Sequence, residues 1–150
     1  MANTSAICSS FKQELLQGKH NFSSSGGDTF KLALYDSSAT LGASTTDYST
    51  SEEITNTSGT AYVAGGATLT RTGVGLTSTT AFTDFSDVTY TSASFTANAA
   101  LIYNTTTGTG SSTTDAVCAI AFGGDKTASN GTFKIEFPTN DATAAIIRLA

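Results

Sequence analysis

Few residues in this chain have the chemistry to act as an acid, a base, a nucleophile or a metal ligand. His20 is the one histidine and stands in Gly18-Lys19-His20-Asn21. As a general base it would need a nearby nucleophile and an orienting carboxylate. As a residue that follows a helix end it needs neither, because a cation there is already favourable. Asp84 and Asp87, in Phe82-Thr83-Asp84-Phe85-Ser86-Asp87, are the closest carboxylate pair apart from Glu52 and Glu53. Two carboxylates can hydrolyse a glycosidic bond, whereas the same spacing between strands makes a turn in which Asp accepts neighbouring backbone N–H groups. Calcium would recruit carboxylates, carbonyls and hydroxyls, but the Asp-rich ligand spacing is missing.

Gly123-Gly124-Asp125-Lys126-Thr127 looks like a phosphate cradle. It lacks the G-x-x-x-x-G-K-[ST] spacing and no helical pattern follows it, so it reads as a hairpin loop. The abundant serines include no G-x-S-x-G elbow. Cys8 and Cys118 are far apart, and one histidine cannot complete a zinc set with them. The sequence therefore predicts no catalytic, cofactor or metal residues and a protein that is not an enzyme.

The elements that hold these residues are mostly strands. The chain has 150 residues, one domain's worth, and no Pro- or charge-rich linker or fixed-period repeat divides it. Charged residues make up 13% and the net charge is −5, so the surface is coated with Thr and Ser hydroxyls instead of ions. Lys12, Lys19, Lys31, Arg71, Lys126, Lys134 and Arg148 are scattered, which argues against nucleic acid and against an anionic membrane surface. No apolar run approaches a membrane span, and the N-terminus has no signal-peptide pattern. The chain reads as soluble and made in a cytoplasm, with both thiols reduced and Cys118 buried as a small apolar residue.

Helical signals are confined to the start. Ser10 is placed to cap Phe11 to Gln17, Gln13 to complete a capping box, and Gly18 to end the helix. Phe11, Leu15 and Leu16 then fall toward one side, against the body or a neighbouring subunit. Beyond residue 28 the pattern is all-β. Phe30, Leu32 and Leu34 alternate with Lys31 and Ala33, and Phe133, Ile135 and Phe137 with Lys134 and Glu136, each giving one buried and one wet face. Weaker strands are read at 60–63, 67–77, 80–85, 88–90, 94–103, 116–122 and 146–149. Gly65-Gly66, Gly123-Gly124 and Asn130-Gly131 mark chain reversals. The stretches 21–27, 37–59 and 104–115 read as loops, with 37–59 long enough to bind something or to become ordered against a neighbour.

The predicted architecture is a β-sandwich, jelly-roll-like, with one short N-terminal helix: an arm and helix over 1–27 and a single sandwich over 28–150. Deleting residues 1–21 is expected to leave that sandwich folded and to weaken attachment to a partner.

Ser10 to Phe22 (SFKQELLQGKHNF) and Asp28 to Tyr35 (DTFKLALY) resemble a recurrent small structural protein of tailed bacteriophages. The similarity continues through Tyr62 to Leu69 (YVAGGATL), Ala99 to Asn104 (AALIYN) and Phe122 to Phe133 (FGGDKTASNGTF), so it spans nearly the whole chain. These blocks contain no catalytic signature. The resemblance implies a virion structural protein, and phage parts of this size and composition include head cement or decoration proteins that sit over capsomer junctions. It implies the capsid surface as location after synthesis in the bacterial cytoplasm. The implied partners are the major capsid protein and copies of itself, as a dimer or trimer, with no cofactor. Phe11, Leu15, Leu16, Phe22, Tyr48 and Ile54 are the expected assembly contacts. A tail, neck or fibre component and a carbohydrate-binding module on the virion are the alternatives; the module requires exposed tyrosines along a groove.

Overall fold

The computed structural model describes residues 2–55, 61–106 and 112–150. Its elements in chain order are β1 (Ala6–Ile7), α1 (Ser9–Leu16), β2 (Phe30–Tyr35), β3 (Ala67–Thr68), β4 (Arg71–Thr77), β5 (Thr80–Phe85), β6 (Val88–Asn104), β7 (Ala116–Ile135) and β8 (Ile147–Leu149). They form a five-stranded sheet of order β1-β7-β6-β2-β3 and a three-stranded sheet of order β4-β5-β8. Every strand pair is antiparallel. The all-β sandwich with one short helix read from the sequence is the fold observed.

The larger sheet is built on one long hairpin. Residues read as separate strands at 88–90 and 94–103 are continuous in β6, and those at 116–122 and 133–135 are continuous in β7. Gly123-Gly124 and Asn130-Gly131 therefore do not reverse the chain. Ala97 pairs with Lys126 and Ala99 with Ala121, so residues 122–125 of β7 face Asn98 alone and bulge out of the ladder. Gly123 (φ 73°), Gly124 (φ 136°) and Asn130 (φ 49°) supply the left-handed backbone that such irregularities need. Asn98 Nδ2 ties the bulge down by donating to Asp125 Oδ1 at 2.8 Å. Gly65-Gly66 does make a turn, closed by Gly66 N–H donating to Val63 O at 2.9 Å. The expected strand at 60–63 is not formed over its described residues 61–63, and residues 107–111 of the loop read at 104–115 lie outside the described residues.

Both faces of β2 are buried, not one. Phe30, Leu32 and Leu34 are fully buried, and the Phe30 ring lies 4.5 Å from Phe22, stacked, and 5.6 Å from Phe85 of β5 in the smaller sheet. The alternate residues Ala33 and Tyr35 are covered as well, because the segment after β2 folds back over them. Tyr35 Oη donates to Ser49 O at 2.7 Å, Tyr48 stacks on Tyr103 at 4.4 Å, and Ala39, Leu41 and Ile54 are buried. The long 37–59 stretch, as far as it is described, is thus ordered against its own sheet and needs no neighbour.

The N-terminal residues are equally part of the body. β1 is an edge strand of the larger sheet, with Ala6 opposite Ala119 and Ile7 opposite Cys118. Cys8 N–H continues the ladder to Val117 O, and Ser9 N–H donates to Ala43 O. The helix starts where that ladder lets go, at Ser9, with Cys8 at the cap position making no side-chain bond to the first turn. Ser10 Oγ is buried without a partner, so the predicted capping box does not form. The predicted stop does: Gly18 (φ 71°) N–H donates to Leu15 O and Lys19 N–H to Glu14 O, the Schellman pattern. Since α1 buries Phe11 against His20 and Phe22, an independent arm over 1–27 is corrected to an integral edge of the sandwich.

Candidate docking face

The polar groups that invited a catalytic reading are held by internal hydrogen bonds. His20 lies under α1, where Phe11 is 4.8 Å away ring to ring. The Asn104 amide sets its tautomer. Asn104 Oδ1 accepts Thr106 N–H at 2.9 Å and Nδ2 donates to Asp28 Oδ2 at 2.8 Å, so its second proton points to His20 Nδ1, 3.1 Å away. Nδ1 is then the acceptor and Nε2–H donates to Glu14 Oε2 at 2.8 Å. This chain of four side chains locks helix, loop and β6 together and has no nucleophile in it.

Asp84 is fully buried at the end of β5. Its carboxyl oxygens accept Phe85 N–H at 2.8 Å and Ile146 N–H at 3.0 Å. Burial raises its pKa above the usual aspartate value, against the pull of those two bonds. Asp87 is at the surface, accepting Phe137 N–H at 2.9 Å and pairing with Lys134 at 3.0 Å. Its pKa is lowered by the Phe137 bond first and Lys134 second. Apart from the Phe85 bond, the two carboxylates clamp backbone far along the chain, at Ile146 and Phe137, and not the neighbouring N–H groups expected from a turn. Glu53, by contrast, is a buried acid that sequence reasoning did not single out for this role. Its Oε2 accepts the Tyr48 hydroxyl at 2.6 Å, and Oε1 accepts the Tyr62 hydroxyl at 2.5 Å and Gly65 N–H at 2.7 Å. Among the described residues, no three His, Cys, Asp or Glu side chains gather as a metal site.

Of the expected assembly contacts, Phe11, Phe22 and Ile54 are core residues of this same chain. Their burial is intramolecular, which corrects their assignment as contacts: apolar spacing marks a side chain to be covered, not what covers it. Tyr48 is half-buried with its hydroxyl on Glu53. Leu15 is half-buried and Leu16, beside it on α1, is 92% exposed.

The other exposed large apolar side chains are Val63, Val74, Leu76 and Leu149. Three of these lie together. In the smaller sheet Val74 pairs with Thr83, Leu76 with Ala81, Ala81 with Leu149 and Thr83 with Ile147, so all six share one face. The inner end of that face, at Thr83 and Ile147, is buried. Its outer end overhangs the core and leaves Val74, Leu76 and Leu149 in water. Between this overhang and α1 runs a groove of about 450 Å³, lined by Leu15, Phe22, Val74, Ala81, Ile147 and Leu149 among others. The signal for it was present in Val74 and Leu76, which alternate with Gly73 and Gly75. The glycines leave the opposite face so thin that Phe82 folds over Gly75.

None of the five tyrosines and nine phenylalanines is exposed, and Tyr48, Phe82, Phe122 and Phe137 are half-buried. Among the described residues no helix is long and apolar enough to cross a membrane. Compared with protein-family models, curated proteins and solved structures, the chain matches none.

Proposed function

We propose that this chain is a structural protein of a tailed-phage particle, a cement or decoration protein that binds the outer head surface across capsomer junctions and works by docking. One observation carries this reading: His20, Asp84 and Glu53 are engaged in internal bonds, while large apolar side chains stand exposed on the overhanging face of the smaller sheet. A contiguous apolar patch on an otherwise polar surface marks a contact site. A surface rich in hydroxyls and poor in ions also loses less hydration when covered than a charged one does. On a symmetric shell each copy adds its own contact, so that modest single affinities build a strong coat.

The test is particle stoichiometry. Quantitative mass spectrometry of purified virions should find the polypeptide in hundreds of copies, and particles lacking it should lose their DNA at lower temperature. A handful of copies at one vertex supports a tail or neck part instead, and its absence from virions removes the reading.

A further inference from the structure

We infer that the overhanging face of the smaller sheet is covered by a second copy of this chain, joined along the free edge of β4. The inference rests on the docking reading but assigns this face to a second copy, leaving the rest of the hydroxyl-coated surface to meet the shell, and it is measured on the isolated protein. Three observations favour a second copy.

The first is charge. The chain carries −5, so two copies repel unless they meet where carboxylates are missing. The groove beside the overhang is lined by no Asp, Glu, Lys or Arg. Four other surface grooves each carry at least one of them: Asp47 and Glu52, Lys134 and Glu136, Asp125, or Arg148.

The second is the edge. β4 pairs with β5 only and ends its sheet. Loop residues reach its start, where Arg71 Nε donates to Ser23 O at 2.8 Å, but among the described residues no strand pairs with Val74 to Thr77 on the outer side. Val74 to Thr77 contains no charge or proline, and the bulge that interrupts β4 lies before it, between Arg71 and Val74. A strand meeting its own copy antiparallel about a two-fold axis is complementary by symmetry, since each donor faces the matching acceptor. The same approach brings Val74 and Leu76 of both copies onto one continuous apolar face.

The third is size. Leu16, 92% exposed, follows the groove-lining Leu15 on α1. The chain exposes 7349 Å², and a standard interface covers about 800 Å² per partner, roughly a tenth of a small protein. Val74, Leu76, Leu149 and Leu16, each more than half exposed, are the large apolar side chains that such an interface would cover.

Sedimentation equilibrium of the purified chain over a concentration series should give twice the 15.3 kDa monomer mass, with amide exchange at Val74 and Leu76 slowing as the dimer forms. Leu76→Glu should weaken the dimer about 30-fold or more with unchanged circular dichroism. Should that variant fail to fold, Leu16→Glu, on a side chain already in water, makes the same measurement. A wild-type chain that stays monomeric at millimolar concentration overturns the inference, as does a Leu76→Glu dimer as tight as wild type. Binding to particles stripped of the native copy separates the two readings. A monomer that binds particles and loses binding on Leu76→Glu assigns the face to the shell protein, whereas a dimer that binds no particle leaves this inference standing and removes the function.

Discussion

Tyr62 donates its hydroxyl to Glu53 at 2.5 Å and, through the same oxygen, accepts Leu34 N–H at 2.9 Å. One phenol thus terminates the edge of β2 where β3 has ended and anchors the covering segment to it. Glu53 N–H and Ile54 N–H are held by Thr50 O and Leu34 O, so backbone and side chain pin the same point.

Removing either member should therefore loosen the covering segment. Glu53→Ala leaves two hydroxyls and the Gly65 N–H without their acceptor and should cost about 3 kcal/mol, while Tyr62→Phe should cost about 1–3 kcal/mol. Urea denaturation of the two variants and the double variant measures the coupling. Additive losses would show that the bond contributes nothing of its own.

All five tyrosines are held protonated above the ordinary phenol range. Burial is the first cause at each, and it raises Tyr90 and Tyr103 to about 12. A group whose folded value is raised gives stability that is complete below the unfolded value, about 10, and is lost as pH rises toward the folded value. Stability should fall steeply between pH 10 and 12. Tyrosinate absorbance should appear together with unfolding; ionisation near pH 10.5 with an intact circular dichroism spectrum would contradict this burial.

Phe11, 1% exposed, sits at the centre of the contact between α1 and the sandwich. Phe11→Ala should cost about 3–5 kcal/mol. Deletion of residues 1–21, which also removes β1, Cys8 and His20, should abolish cooperative unfolding in denaturant instead of releasing a folded sandwich. A sharp transition in the truncated chain would restore the separate arm.

Two glycines with positive φ separate backbone strain from crowding. A Cβ on Gly18 (φ 71°) meets nothing within 4 Å, whereas on Gly66 (φ 82°) it would lie 1.9 Å from Leu32 O. Gly18→Ala should cost about 1 kcal/mol, and Gly66→Ala roughly 3 kcal/mol or more, through displacement of β2. Thermal midpoints of the two variants compare them directly, and equal shifts would argue against the close approach.

The sequence by itself determined the fold class, the bounds of β5 and the stop of α1 at Gly18. Each rests on local rules: alternation and turn chemistry act within a few residues. Tertiary structure decided that two glycine-bearing dipeptides bulge within β7, that the 37–55 segment covers the second face of β2, and that the start of the chain is a sheet edge. It also decided which apolar residues are left over. Phe11, Phe22 and Ile54 look no different in sequence from Val74, Leu76 and Leu149, because hydrophobicity drives a side chain out of water without specifying its cover. That choice depends on which strands pair across long separations, such as Ile7 with Cys118, and no local pattern encodes such a pairing.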